Sequence, residues 1–309
     1  MQRYVSFDVG GTTVKHALVD DQGNISNKQA FETIDSADEL LSQMIGIINK
    51  AKTKETISGV GISVPGIVRD DGYMITGGAI KSLNDYPLAQ TLERETGLPV
   101  AVENDANAAA IAEHWLGAAQ GVGTYLTVVL GTGVGGGIVI DGKVYRGAHG
   151  MAGEFGWNII HDIDPTCELE HFSLNWHASV VTGLVDRFNK SVIQAFPNTE
   201  KVEDAQIILK LAADGDPIAG IAVSDFLRDV SIMIINLFAN FDPEKILIGG
   251  GISANDGFMH TLQDTVDEYI TRHESLNRIR DTALGHIETA KLRNDAGLIG
   301  AAYRIKQKL

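Results

Sequence analysis

Asp8, Gly10, Gly11, Thr12 and Lys15 crowd into the short stretch FDVGGTTVK and set a carboxylate, an ammonium and a hydroxyl around a glycine pair. Adjacent glycines permit a tight reversal with exposed backbone N–H groups. Such groups, joined by a Thr hydroxyl, suit phosphate oxygens. Taken alone, the stretch is equally compatible with a plain hairpin.

A second copy gives the first its meaning. The β-rich run Tyr125 to Leu130 enters Gly131-Thr132-Gly133-Val134-Gly135-Gly136-Gly137, and Ile138-Val139-Ile140 then leads to the turn Asp141-Gly142. The order strand, Gly/Thr turn, strand, Asp/Gly turn is that of the first stretch, as expected for two related lobes serving one polyphosphate. Two other nucleotide motifs are excluded. Gly131, Gly133 and Gly136 fit the dinucleotide fingerprint, which needs a helix next, whereas a strand follows. Gly137 to Lys143 fits a P-loop except that Val144 stands where a magnesium-binding hydroxyl is required.

A third constellation is Glu103-Asn104-Asp105-Ala106-Asn107, between a buried strand and an Ala-rich helix. Asn104 or Asp105 suits the helix N-cap. A carboxylate at the carboxyl end of a strand is also placed to accept a hydroxyl proton during phosphoryl transfer, with the Asn104 amide orienting the substrate. Gly66 and Gly78 close two loops of the same region, and Glu154 lies among glycines in GAHGMAGEFGW, where backbone can approach a ligand.

The elements that must position these groups alternate. Helices are expected near 36–52, 85–97, 105–118, 175–195, 203–213, 217–241, 256–273 and 295–308, and strands near 3–9, 14–20, 25–32, 57–64, 99–103, 124–130, 136–141, 144–147 and 245–249, which is α/β behaviour. The 309 residues suffice for two lobes, each with a core. A net charge of −15 without a basic stripe argues against a nucleic-acid surface. No apolar run is long enough to span a membrane and no leader pattern is present, so a cytoplasmic location is expected. Cys167 is the sole cysteine, so no internal disulfide can form.

Together D-x-G-G-T at Asp8, E-N-D-A-N-A-A-A-x-A-E from Glu103, L-G-T-G-V-G-G-G, A-G-E-F-G, LIGGGIS and the final GAAY helix resemble the ROK family of sugar kinases and repressors. The resemblance covers nearly the whole chain. It implies an α/β, two-lobed, RNase H-like fold of the actin and hexokinase type with a central nucleotide and sugar cleft. Residues 1–117 with 292–309 would form the small lobe, and 118–291 the large lobe carrying the oligomer surface of a homodimer. It implies ATP and Mg²⁺ as cofactors and a small-molecule sugar as partner. Asp8 would hold Mg²⁺ through water; Gly10, Gly11 and Thr12 would approach the phosphates from one side, and Gly131, Thr132 and Gly133 from the other. Gly249, Gly250 and Gly251 would lie against adenosine. Asp105 matches the family's base, and Gly66, Gly78, Asn104, Asp105 and Glu154 fall at sugar-contact positions. Lys15 is a lesser candidate, its side chain expected to point away along the strand. Asp105 is expected to be ionised, since a free Asp has a pKa of about 3.9.

The chain also departs from that family. Trp157 stands where most members have a histidine that binds sugar and zinc, and the three-cysteine zinc loop is missing, so no zinc site is expected. His161, Cys167, His171 and His177 cluster in the replacement segment without a standard ligand spacing. Asn175 replaces a glutamate that grips the anomeric end of the sugar. With the GEFGW and TGGAI turns, this is more similar to the β-glucoside kinase branch than to glucokinase. The expected activity is phosphorylation of O6 of a glucose-type sugar, with cellobiose as the example. N-acetylmannosamine kinase and glucokinase are the alternatives. The non-enzyme alternative is a sugar-responsive regulator, but the family's repressors carry a DNA-binding segment before the first glycine hairpin, and only six residues precede Phe7.

Overall fold

In the computed structural model, which describes residues 2–161 and 163–309, the first strands follow from their apolar pattern. In β1 (Arg3–Val9) Tyr4, Val5, Phe7 and Val9 are all buried, so the strand is covered on both faces. β2 (Thr13–Asp20) returns antiparallel to it, and β3 (Ile25–Glu32), nearly all exposed, forms a polar edge. Helix α1 (Ala37–Lys52) starts where the Ser36 hydroxyl accepts the Glu39 N–H and buries Leu40, Leu41, Met44 and Ile48. That spacing is one helical stripe, and each fully buried side chain of this size contributes about 1.5–3 kcal/mol.

β4 (Gly59–Val64), α2 (Leu88–Thr96), β5 (Val100–Asn104) and α3 (Asp105–Leu116) follow. The first sheet has the order β3-β2-β1-β4-β5, with β1, β4 and β5 parallel. The second contains β6 (Tyr125–Leu130), β7 (Val134–Ile140) and the short β8 (Lys143–Val144). Three helices come next: α4 (Leu174–His177), α5 (Arg187–Ala195) and α6 (Ala205–Ala213). Helix α7 (Pro217–Phe241) is capped by Asp216 and ends at Asp242 in left-handed geometry. β9 (Lys245–Gly249), α8 (Asp256–Arg272), α9 (Glu274–Ala283), β10 (His286–Thr289) and α10 (Ala296–Lys308) complete the chain. The second sheet reads β8-β7-β6-β9-β10 and repeats the order of the first, so the two hairpins of the sequence occupy equivalent places in equivalent sheets.

The chain divides into two compact units: Met1–Gly121, Gly137–Gly153 and Lys291–Leu309 in one, Val122–Gly136 and Glu154–Ala290 in the other. The sequence reading assigned 118–291 to one lobe, whereas Gly137–Gly153 groups with the first unit, where Arg146 pairs with the buried Glu103. The single helix expected over 175–195 is three pieces. Ser179 is extended and its hydroxyl accepts the Thr182 N–H, starting a fresh wide-turn helix, Val180–Asp186, before α5. β10 and α9 were not anticipated. Among the described residues no helix is long and apolar enough to cross a membrane.

Candidate active site

In the first unit the reactive groups sit at the carboxyl ends of three adjacent parallel strands, since Asp8 is in register with Ser63 and Ser63 with Glu103. The hairpin places Asp8 opposite Lys15, and the Lys15 ammonium lies 3.2 Å from Asp8 Oδ2. The expectation that Lys15 points away is thereby corrected: the two residues face each other across the β1–β2 ladder, where opposite charges attract. Asp8 Oδ1 accepts the Ser63 hydroxyl at 3.0 Å. A Cβ on Gly297 would fall 2.1 Å from the same oxygen, so only glycine lets the first turn of α10 come so near the carboxylate. Gly10 N–H bonds Thr13 O, and the Thr33 hydroxyl donates to Gly10 O, which closes the turn and leaves Gly11 and Thr12 exposed. A half-buried carboxylate with lone pairs left over, beside an exposed glycine turn, fits an outer-sphere Mg²⁺ and phosphate oxygens.

Asn104, not Asp105, caps α3. Its Oδ1 accepts the N–H groups of Ala106 and Asn107 at 3.0 and 3.1 Å, and its Nδ2 donates to Gly66 O at 2.9 Å. Capping thus consumes the amide that the sequence reading gave to the sugar, apart from one N–H, and leaves Asp105 to other work. Asp105 occupies the first helical turn with its side chain accessible to solvent. Its carboxyl is pushed up to about 6, chiefly by the protein displacing solvent around it and then by the negative Asp8, against the pull of the Ala106 N–H. Asp105 therefore ionises less readily than a free Asp.

Gly66 has φ +97°, and a Cβ there would meet Thr76 O at 2.2 Å. Gly78 packs on the same turn, and a Cβ on Gly11 would touch Ala79, so the TGGAI loop lies beside the first glycine hairpin. Sequence reasoning missed Glu103, 2% exposed, hydrogen-bonded by Arg146 and ion-paired with Arg304, and also Ser63 and Gly297. Glu103 stood in the recognised motif; nothing local marked the other two.

In the second unit two glycine turns follow two adjacent parallel strands, with Val129 in register with Gly249. Gly250, at φ +93°, brings its α-carbon so near Leu130 O that a Cβ would fall 2.0 Å away; Gly249 ends β9 and Gly251 opens a short 3-10 turn. The Gly131-Thr132-Gly133 turn is held at both ends. Val180 N–H donates to Gly131 O at 2.9 Å, and Val134 N–H donates to Asn175 Oδ1 at 2.9 Å. Asn175 Nδ2 donates in turn to Glu170 at 3.3 Å. Glu154 is half-buried, ahead of the 3-10 turn Phe155–Trp157, and Trp157 is 45% exposed, so it does not fill the core.

Of the four residues of the replacement segment, His161 and His177 have ring centroids 3.9 Å apart, tilted by 41°, whereas Cys167 is exposed and the His171 ring packs on Trp176. The buried Asp229 of α7 joins the first two, the three ligand atoms lying within 4.8 Å of one another. Arg187 and Arg228 already bond its two carboxylate oxygens at 2.8 and 3.1 Å.

Residues 4–308 match the family model described as ROK family. A β-glucoside kinase of Listeria innocua is 35% identical over 99% of this chain and 98% of its own length. A glucokinase of Halalkalibacterium halodurans is 36% identical over 99% and 95%. The crystal structure of a ROK family glucokinase from Streptomyces griseus in complex with glucose and AMPPNP superposes with a TM-score of 0.78 at 27% identity, covering 99% of each chain. With the duplicated sheet order and glycine turns at equivalent strand ends, these matches establish that the chain belongs to the ROK family and has its α/β, actin–hexokinase type of fold.

Proposed function

We propose that this ROK protein, an ATP-dependent sugar kinase, phosphorylates O6 of a glucose-type ring and accepts a β-glucoside such as cellobiose. The observation that carries the reading is Asp105, released from capping by Asn104 and raised to about 6, within reach of a neutral-pH proton transfer. As O6 attacks the γ-phosphorus, its proton passes to the Asp105 carboxylate while the bond to the leaving ADP breaks. Asp8, steadied by Lys15 and Ser63, is the residue that would hold Mg²⁺ through water, and the N–H groups around Gly11 and Thr12 would meet phosphate oxygens. When bound, Mg²⁺ neutralises charge on the transferring phosphoryl group. Gly131, Thr132 and Gly133 offer a second backbone cradle, and Gly249 to Gly251 a flat glycine surface for adenosine. Gly66, Gly78, Asn104 and Glu154 remain the proposed sugar contacts.

The β-glucoside preference is supported by the relatives that carry that name, at 33–35% identity over nearly full length, and by the exposed Trp157 indole, a face on which a second sugar ring can stack. Coupled ADP release with glucose, N-acetylmannosamine, cellobiose and gentiobiose tests it. Cellobiose is expected to give a kcat/KM at least equal to that of glucose. A preference for glucose above about tenfold, roughly 1.4 kcal/mol, would remove the glucoside and leave the kinase standing. A homodimer in the cytoplasm completes the proposal.

A further inference from the structure

We infer that Asn175 is a positioning residue for the nucleotide: its amide fixes the Gly131–Val134 turn, and it acts on ATP through that turn. The inference rests on the kinase reading, because it takes the turn as a phosphate cradle.

Asn175 Oδ1 accepts the Val134 N–H at 2.9 Å, where the turn re-enters β7. Val180 N–H holds the other end through Gly131 O at 2.9 Å. Both partners come from one segment, 174–182, stiffened by the Thr182 hydroxyl, which donates to Asn175 O at 2.9 Å and bonds the Ser179 hydroxyl at 2.7 Å. The space around the amide is closed to larger neighbours. A Cβ on Gly156 would lie 2.1 Å from Asn175 Oδ1, and one on Gly133 3.2 Å from it. Thr132 and Gly133 themselves are exposed, so apart from the Gly131 N–H, which donates to Gly133 O at 3.0 Å, the turn relies on these outside partners to hold its shape. A glycine turn presents its N–H groups usefully only if its backbone is fixed before the ligand arrives, since an unfixed turn must be ordered at binding.

Val134 N–H needs an acceptor, and the Asn175 amide oxygen supplies one without a full negative charge. The remaining Nδ2 group donates to Glu170, which orients the amide and fixes which end faces Val134.

The test is AMPPNP titration and steady-state kinetics of N175A, with T182V as a milder variant that loosens the segment without touching the amide. N175A is expected to weaken AMPPNP binding and raise KM for ATP about tenfold, the loss of one well-placed hydrogen bond, with KM for sugar changed less than about threefold. T182V is expected to shift the same two quantities by roughly threefold. Unchanged nucleotide binding in both variants, or a rise confined to the sugar KM, would overturn the positioning role in favour of packing alone or of a direct sugar contact. A wild-type protein that binds no AMPPNP overturns it together with the cradle. A wild type that binds AMPPNP but releases no ADP with any sugar sinks the kinase reading alone.

Discussion

The two glycine turns occupy equivalent positions in sheets of the same strand order, yet they are fixed by different means. The first is surrounded by ionised and hydroxyl groups: Asp8 bonded by Lys15 and Ser63, with Asp105 at the end of the next strand but one. The second, among the described residues, is held by neutral groups: the Asn175 amide oxygen, the Val180 N–H and its own bond from Gly131 N–H to Gly133 O. A duplicated scaffold therefore carries a division of labour. The first unit holds the groups that can move a proton or counter a metal, and the second presents shaped backbone. Substitutions in the first should act mainly on kcat, and substitutions in the second mainly on KM for the nucleotide.

The largest effect is expected at Asp105. Asp105→Asn keeps the size and the first-turn position but cannot take the hydroxyl proton, and should lower kcat by ~10²–10⁴, roughly 3–5 kcal/mol of barrier. KM for ATP should change little, which is the signature of the first unit. Thermal unfolding supplies a second readout. A carboxyl whose folded pKa is raised favours the folded state at low pH and loses that contribution as pH rises from the unfolded value of about 4 through about 6. The variant should therefore unfold at an equal or higher temperature than the wild type at pH 8. Retention of more than about a third of kcat would remove Asp105 from the role of base.

The same carboxyl predicts the pH profile. With sugar limiting and ATP saturating, kcat/KM should rise about tenfold per pH unit below pH 6 and level above it, because only the ionised form accepts the proton. A profile flat from pH 5 to 8 would place the base elsewhere or return Asp105 to an ordinary carboxylate value. Substitutions at Asn175 should leave the midpoint unmoved, which sharpens the contrast between the units.

What the sequence disclosed follows the same contrast. Strand, turn and helix order was legible where apolar period and glycine pairs are local signals, and both turns were found that way. Asp105 was marked as a candidate because it stands at a strand-to-helix junction. The partners that tune these groups were not legible. Ser63, Gly297 and Lys15 reach Asp8 only through strand register and helix docking, and the assignment of the cap to Asn104 depends on which side chain the Gly66 carbonyl captures. Asn175 was marked through the resemblance, as the replacement of a sugar-gripping glutamate; that its oxygen accepts the Val134 N–H had no local signal. β10, four residues at a sheet edge, and α9, which buries only Leu276, carry too little apolar pattern to be seen.

The smallest effect is expected from metal removal, and here the second unit again proves to be held by neutralised contacts. His161, His177 and Asp229 have metal-ligand spacing, but His177 Nδ1 and both Asp229 oxygens already face guanidinium groups, while His161 Nε2 has no hydrogen-bond partner. His177 Nε2 lies 2.8 Å from the His171 carbonyl, which can only accept, so the proton sits on Nε2 and the lone pair on Nδ1, and that nitrogen faces the Arg187 guanidinium at 3.3 Å. Arg187 and Arg228 occupy both oxygens of Asp229, and His161 stands 3.4 Å from one of them. A divalent ion would have to expel a guanidinium from a fully buried carboxylate and would then sit beside that uncompensated positive charge, a cost of several kcal/mol that a structural metal site avoids. Protein prepared without chelator is accordingly expected to contain well below one zinc per chain, and prolonged EDTA dialysis to leave its unfolding temperature and kcat unchanged. About one tightly held zinc per chain by elemental analysis, or a fall in unfolding temperature on chelation that zinc restores, would show that Arg187 yields its place to a metal.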